Sequence, residues 1–297
     1  MGMKRVVVTG ATGLIGRYVT QALSKDWEVH AISRLGSSTA TTTGVQWHEI
    51  DLSRKLPDRA LPSQIDAVIY LAQSEYFREF PRRALDIFEV NTANVLRFLD
   101  YAKVSGARTF VFASSGGVYG GGDSRMSEEV PIPARGDLGF YLTTKLCSEI
   151  AAQNYTEHFN VVILRYFFVY GPSQRQSMLI PRLIHRVRTG QSILLQGEEG
   201  IRLNPIHVID AAAATVQGLK LEGSYTINVA GPDVLTMREI GIKIGQAVAR
   251  EPVFLTDMSA GPRHLTGDIT RMRELLIAPQ IGFSEGMRSM VTAESTR

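Results

Sequence analysis

The segment "GFYLTTKLCSE" places Tyr141 four residues before Lys145, at the start of an amphipathic helical pattern. That spacing puts both side chains on one helix face. A phenol beside an ammonium is either a proton-transfer pair or a tyrosine stacked over a lysine stem on a solvated surface. Spacing alone does not choose between them. A free phenol titrates at about 10, so a tyrosine acting as a base at neutral pH needs a neighbouring positive charge to hold its phenolate. Lys145, one turn away, is such a charge.

The other residues with chemical content lie at the N-terminus. "KRVVVTGATGLIG" is a short β-branched run that enters glycines at 10, 13 and 16, followed by a helical pattern with Ile15, Val19, Ala22 and Leu23 on one face. Glycine permits positive φ and lets a ligand approach the backbone. The start of the next helix offers free N–H groups and a partial positive charge, which suit a pyrophosphate. The spacing is Gly-x-x-Gly-x-x-Gly and not the Gly-x-Gly-x-x-Gly of the usual fingerprint, but its place in the first strand-to-helix turn reads as dinucleotide binding. At the tip of the second strand, "WEVHAIS", stand Ser33 and Arg34. An acid there hydrogen-bonds a ribose 2′-OH, whereas an arginine accommodates a 2′-phosphate. A hydroxyl beside a guanidinium predicts NADP, with NAD the alternative. Asp51 and Leu52 end the third strand pattern, where Asp51 either accepts from an adenine amino group or caps a turn.

The elements that carry these residues alternate. "DAVIYLA" is a strand, 84–103 a helix, "RTFVFAS" a strand, 141–158 a helix, "NVVILRYF" a strand, and "SYTINVAG" returns late in the chain. This alternation predicts an α/β fold with a doubly wound parallel sheet of the Rossmann type. Beyond Gly171 short helices mix with Pro and Gly. The expected organisation is a dinucleotide-binding domain over 1–171 and 207–230, with a small interwoven substrate lobe from 172–206 and 231–297. The tract "SSTATTTG" at 37–44 reads as a polar loop.

Composition narrows the class. The chain has 297 residues, 44% hydrophobic and 21% charged, with a net charge of +3; this suits a globular protein with a sizeable core. No cluster of Lys and Arg points to nucleic acid, so no nucleic-acid partner is expected. The one cysteine, Cys147, excludes an internal disulfide and suits a reducing compartment. No apolar run reaches membrane-spanning length and the N-terminus enters a strand at once, so a cytoplasmic protein without signal peptide or membrane contact is expected. The six histidines have no metal-ligand spacing, and no metal is expected.

Four motifs in order, "VTGATGLIG", "FASSGGVYG", "YLTTK" and "LRYFFVYGP", resemble those of the extended short-chain dehydrogenase/reductases, the nucleotide-sugar epimerase and dehydratase group. The resemblance covers about Lys4 to Val291. It implies that Tyr141 moves a proton to or from a substrate hydroxyl while hydride passes to or from nicotinamide. It also implies that Lys145 supports the phenolate and the nicotinamide ribose, and that Ser115, rather than Ser114, hydrogen-bonds the reacting oxygen. Cofactor contacts are implied for Gly10, Thr12, Gly13, Leu14, Ile15, Gly16, Ser33, Arg34, Asp51, Leu52, Leu71, Ala72, Tyr141 and Lys145. Asn91 matches an Asn that either supports the site or is a buried structural amide, and His207 matches a structural position.

The departures narrow the activity. Dehydratases of this group carry an Asp-Glu pair where this chain has Gly116 and Gly117. The carbon-epimerising reductase of GDP-fucose synthesis uses a Cys and a His where Gly117 and Met178 stand. Elimination and 3- or 5-epimerisation are therefore not expected. The group's Asn in the fourth motif is Phe168 here. Its diphosphate Arg, four residues before the His, is Leu203, with Arg202 one place earlier. Phe168, Arg202 and Arg263 are the candidate substrate-binding residues, and each Arg is either a diphosphate partner or part of a surface ion pair. The Gly- and Pro-containing stretch 116–139 reads as a lid or binding loop. The resulting expectation is an NADP-dependent 4-ketoreductase of a nucleotide-activated sugar. The alternatives are a 4-epimerase with tightly held NAD and a non-catalytic dinucleotide sensor. The helices at 84–103 and 141–158 should share one sheet face and, as is common in the resembling family, pair with their copies in a homodimer. Phe88, Leu96, Leu99, Leu146, Ile150 and Ala151 supply the apolar positions.

Overall fold

A computed structural model of the chain describes residues 2–34, 44–54, 60–132, 136–259, 261 and 263–295. Most of the polar tract 37–44 lies outside them. In chain order the elements are β1 (Lys4–Thr9), α1 (Leu14–Leu23), β2 (Trp27–Ser33), β3 (Val45–Glu49), β4 (Ala67–Tyr70), α2 (Ala84–Phe88), α3 (Asn94–Val104), β5 (Thr109–Ser115), α4 (Phe140–Gln153) and β6 (Asn160–Tyr166). They continue as α5 (Leu179–Thr189), β7 (Ile193–Gln196), β8 (Arg202–Leu203), α6 (Val208–Gly218), β9 (Tyr225–Val229), β10 (Leu235–Thr236), α7 (Met237–Val248), β11 (Phe254–Asp257), α8 (Thr270–Leu275) and α9 (Phe283–Ser295).

The chain divides into two compact units. The first comprises Met1–Val118, Ile132–Arg165 and Ala212–Ile227; the second comprises Tyr119–Pro131, Tyr166–Ala211 and Asn228–Arg297. The first carries a seven-stranded sheet in the order β3-β2-β1-β4-β5-β6-β9. Val6, Val7 and Val8 of β1 have no solvent exposure, so that strand is covered on both faces, as parallel sheets require. β1 pairs in parallel with β2 (Val6 opposite Val29) and with β4 (Val6 opposite Ala67). The winding direction therefore reverses at β1. Ligands of such sheets bind beyond the carboxyl ends of the strands at that point. Beneath one face, Val7, Val68, Tyr70, Phe98, Phe110 and Phe112 form the core.

Two helices differ from their sequence reading. The helix expected over 84–103 is α2, a π-helical turn at Glu89–Ala93, and α3. The turn brings Asn91 wholly inside. Its Oδ1 accepts from the Ser74 N–H at 3.0 Å and its Nδ2 donates to Thr144 Oγ1 at 3.1 Å. Both ends of the amide are satisfied by protein, which is the structural alternative for this residue. α4 stops at Gln153, five residues short of the expected end, where Asn154 Nδ2 donates back to the Ile150 carbonyl oxygen at 2.8 Å.

The second unit holds two small sheets, β10-β8 and β11-β7. Its core gathers Tyr170, Ile184, Leu195, Leu203, Ile240 and Phe283. The middle of the stretch 116–139 is hydrogen-bonded into this unit. Met126 N–H donates to the Thr266 carbonyl oxygen at 2.8 Å, Gly122 N–H to that of His264 at 2.9 Å, and Asn228 Nδ2 to that of Met126 at 2.8 Å.

Candidate active site

The glycine turn sits at the switch point. Gly10 has φ +64, and a Cβ there would lie 2.9 Å from the Ala72 nitrogen and the Leu71 carbonyl carbon. A Cβ on Gly16 would lie 2.1 Å from the Gly10 oxygen. The loop packs so tightly on α1 and on the end of β4 that only glycine fits. α1 begins after Gly13 with no side-chain cap and no acid in its first turn, so its leading N–H groups around Leu14 and Ile15 keep their capacity for an anion. Thr12 lies in the same turn, half-buried. At the tip of β2 the Ser33 hydroxyl is buried and has no hydrogen-bond partner. A glycine cradle, a bare helix start and an orphaned hydroxyl at a strand tip are what a dinucleotide's phosphates and ribose require, so the residues present fit that cofactor.

Arg34 is otherwise engaged. Its guanidinium makes a two-pronged ion pair with Glu75, Nη1 to Oε1 and, at 3.4 Å, Nη2 to Oε2. The carboxylate takes up the charge on which the NADP expectation rested. Asp51 forms a turn: its Oδ1 accepts from the Ser53 N–H at 2.9 Å and from the Ser53 hydroxyl at 2.8 Å. Leu52 is buried, and its carbonyl oxygen receives Asn94 Nδ2 at 2.6 Å.

Ser115, Tyr141 and Lys145 come together in the first unit. β5 ends at Ser115, and α4 begins one residue before Tyr141, after Gly139 at φ +82. Tyr141 donates its hydroxyl to Gln73 Oε1 at 2.9 Å and hydrogen-bonds with Ser115. Lost hydration pushes the phenol up to about 12, with the Ser115 hydrogen bond pulling the other way. Tyr141 is therefore protonated at neutral pH in this state, ready as a proton donor. Lys145 is buried; its Nζ donates to the Ala113 carbonyl oxygen at 2.8 Å and sits 5.2 Å from the Phe112 ring centroid. Burial pushes it down to about 7 while the Glu149 charge raises it. Ser114 is turned inward to the Glu149 carboxylate, whereas Ser115 Oγ, half-buried, accepts from the Gly117 N–H at 3.2 Å. A Cβ on Gly117 would lie 2.7 Å from Leu142 Cδ2, the end of a side chain that can turn aside, so residue type and not packing is what withholds an elimination acid here.

In the second unit Phe168 holds φ +47 and packs against the core that contains Leu203. Leu203 is fully buried, so the position of the expected arginine brings no charge to the surface. Arg202, on the opposite side of β8, lines a cleft of about 410 Å³ with Asp123, Arg125, Glu239, His264 and Thr266. The Arg202 N–H donates to His264 Nδ1 at 3.0 Å. Arg263 is exposed, its Cβ facing Gly121. Among the described residues no cluster of His, Cys, Asp and Glu is placed to hold a metal ion, and no helix is long and apolar enough to cross a membrane.

Sequence reasoning missed Gln73, Glu75, Arg125 and Glu149. Gln73 and Glu75 come just after the end of β4, the edge that a switch-point site uses, and that was the available signal. Glu149 falls four residues after Lys145, on the same helix face.

The fold and this site define an enzyme of the short-chain dehydrogenase/reductase type that works with a nicotinamide dinucleotide, which removes the sensor alternative. Residues 6–230 match the NAD dependent epimerase/dehydratase family, and the chain belongs to it. It is 25% identical to a UDP-glucuronate 4-epimerase of Thermodesulfobacterium geofontis, over 96% of this chain and 94% of that one. It is also 25% identical to a dTDP-4-dehydro-6-deoxy-D-allose reductase of a Streptomyces species, over 92% and 90%. Among solved structures it resembles MoeE5 in complex with UDP-glucuronic acid and NAD, with a TM-score of 0.84, 25% identity and coverage of 98% and 99%.

Proposed function

We propose that the chain is a nucleotide-sugar 4-epimerase that works with NAD. The observation that carries the choice of cofactor is the Arg34–Glu75 pair, which engages the guanidinium a 2′-phosphate needs. The similarity to a UDP-glucuronate 4-epimerase, and the NAD in the MoeE5 complex, support the same reading. The dinucleotide, when bound, supplies the hydride acceptor and donor. Gly10, Gly13 and Gly16 leave room for its pyrophosphate, with Thr12, Leu14, Ile15, Leu71 and Ala72 around them, and Ser33 meets its ribose.

Tyr141 exchanges a proton with the substrate's C4 hydroxyl. Ser115 hydrogen-bonds the same oxygen as it passes between alcohol and ketone. Lys145 lends positive charge to the phenolate when Tyr141 has given up its proton. Gly116 and Gly117 supply no second acid or base, so chemistry stops at carbonyl and alcohol. Arg202 and Arg263, with Arg125 beside the first, are the diphosphate partners left once Leu203 is buried, and Phe168 offers a ring where the family resemblance implies an amide. The second unit serves as the substrate lobe.

A homodimer accompanies this reading. Leu85, Phe88, Leu96 and Ile150 are 86%, 44%, 39% and 57% exposed on α2, α3 and α4, an apolar face suited to a self-complementary patch. Leu99, another of the apolar positions on these helices, is one of those that pack in the core.

The second reading, an NADP-dependent 4-ketoreductase, keeps the support of the Streptomyces reductase. Incubation with UDP-glucuronic acid or UDP-glucose and NAD separates the two. The 4-epimer should appear without net change in the cofactor. Turnover seen only as NADPH oxidation with a 4-keto nucleotide-sugar would establish the reductase instead.

A further inference from the structure

Tyr141, Lys145 and Glu149 stand at i, i+4 and i+8 on α4, one helix face. Each meets one of the three residues that end β5. Tyr141 hydrogen-bonds with Ser115, Lys145 donates to the Ala113 carbonyl oxygen, and Ser114 donates its hydroxyl to Glu149. Glu149 is 1% exposed and also receives Arg165 of β6, with Nη2 at 2.6 Å from Oε2 and Nε at 3.1 Å from Oε1. The catalytic assignment above leaves this buried carboxylate and guanidinium unused. A buried ion pair contributes little net stability, because desolvation offsets attraction. Its field, poorly screened at this depth, acts on whatever ionisable group is nearest.

We propose that Glu149, one helical turn beyond Lys145 and bound to Arg165, is a positioning residue for the hydride-transfer site, so that the Glu149–Arg165 pair sets the charge state of Lys145. The proposal rests on the assignment of Tyr141 and Lys145 made above. Among the described residues, the ionisable groups on the Lys145 side of α4 are Tyr141 and Glu149, with Arg165 reaching Glu149 from β6. β5 contributes the uncharged Ala113 carbonyl, Ser114 and the Phe112 ring. The π-helical turn contributes Asn91 and Thr92, also uncharged, and Glu89 of that turn is paired with Arg97. Burial lowers the proton affinity of Lys145 to about the neutral range, and Glu149 is the group that raises it. Arg165, bound to both carboxylate oxygens, offsets part of that charge.

The two partners therefore push in opposite directions. Glu149→Gln removes the negative charge, and the Lys145 midpoint should fall by about one pH unit or more. Arg165→Met leaves Glu149 to Lys145 and Ser114, and the midpoint should rise by about as much. A merely structural role would not move the midpoint in two directions. The readout is the pH titration of the Lys145 ε-carbon by NMR in full-length chain labelled at lysine Cε, the signal being identified by its absence in Lys145→Arg. It needs no substrate. Opposite shifts support the proposal; equal midpoints, or shifts of the same sign, overturn it. If Glu149→Gln does not fold, its Arg165 being left unpaired, Arg165→Met decides alone: an upward shift supports the proposal, and an unchanged or lower midpoint overturns it. Turnover of Tyr141→Phe and Lys145→Met, measured alongside, tests the catalytic assignment separately.

Discussion

Replacing Glu75 by Gln should change which dinucleotide the enzyme prefers. Glu75 occupies Arg34 with both oxygens, and the two side chains are 30% and 56% exposed. An ion pair this exposed contributes about 0–1 kcal/mol to stability, so the variant should fold and melt nearly as the wild type does. Its effect on binding is larger. The amide removes a negative charge beside the place for a 2′-phosphate and frees a guanidinium for it. A charge-assisted hydrogen bond adds roughly 1.5–3 kcal/mol, and solvent exposure reduces that to about 1.4 kcal/mol, or tenfold. Glu75→Gln should therefore tighten NADP about tenfold while NAD changes less than about threefold. Arg34→Ala in the same background should remove the gain. Calorimetric titration of both cofactors against wild type, each single variant and the double variant reads this directly. A wild type that binds NADP more tightly than NAD, or a Glu75→Gln variant with unchanged NADP affinity, would refute the reasoning.

The sequence disclosed what depends on residue identity over short spans. Gly10, Gly13 and Gly16 come after a valine strand at a spacing that only a tight turn explains, and the structure shows the closeness that demands them. Tyr141 and Lys145 are one helical turn apart in any register. Pairings across the chain were not legible. Arg34 meets Glu75 from 41 positions away, and no local pattern marks the guanidinium as taken. Glu149 reads as an ordinary helix glutamate until β6 brings Arg165 to it. The π-helical turn at Glu89–Ala93 is also silent in sequence, because one additional residue in a helix leaves the apolar count almost unchanged while rotating the turns beyond it.

The geometry sets three further outcomes. The Lys145 pKa, lowered from 10.5 to about 7, makes stability fall as pH drops through that window, since the unfolded chain then binds a proton the folded chain does not, and the loss is complete below about 7. Lys145→Met should therefore melt above wild type at pH 6, by a margin of roughly 2–4 kcal/mol that closes toward pH 10; a margin independent of pH would contradict this. Gly16→Ala puts a methyl 2.1 Å from the Gly10 oxygen, so the loop must shift; a cost of about 1–3 kcal/mol in stability and at least about tenfold weaker dinucleotide binding are expected by thermal melt and titration, and unchanged affinity would count against the cradle. Ile150→Glu should convert a dimer to monomers of reduced activity in analytical ultracentrifugation, and a wild type that sediments as a monomer at micromolar concentration would end the dimer proposal.

The central claim is that Tyr141 carries the proton in a hydride transfer at the sugar's C4. Turnover of the nucleotide-sugar proposed above, measured for wild type and Tyr141→Phe with NAD supplied, tests it most directly. The ring packing survives this change and the hydroxyl does not. Turnover should fall by roughly 10²–10⁴-fold with NAD affinity largely kept. A phenylalanine variant that interconverts the 4-epimers at nearly the wild-type rate would contradict the account.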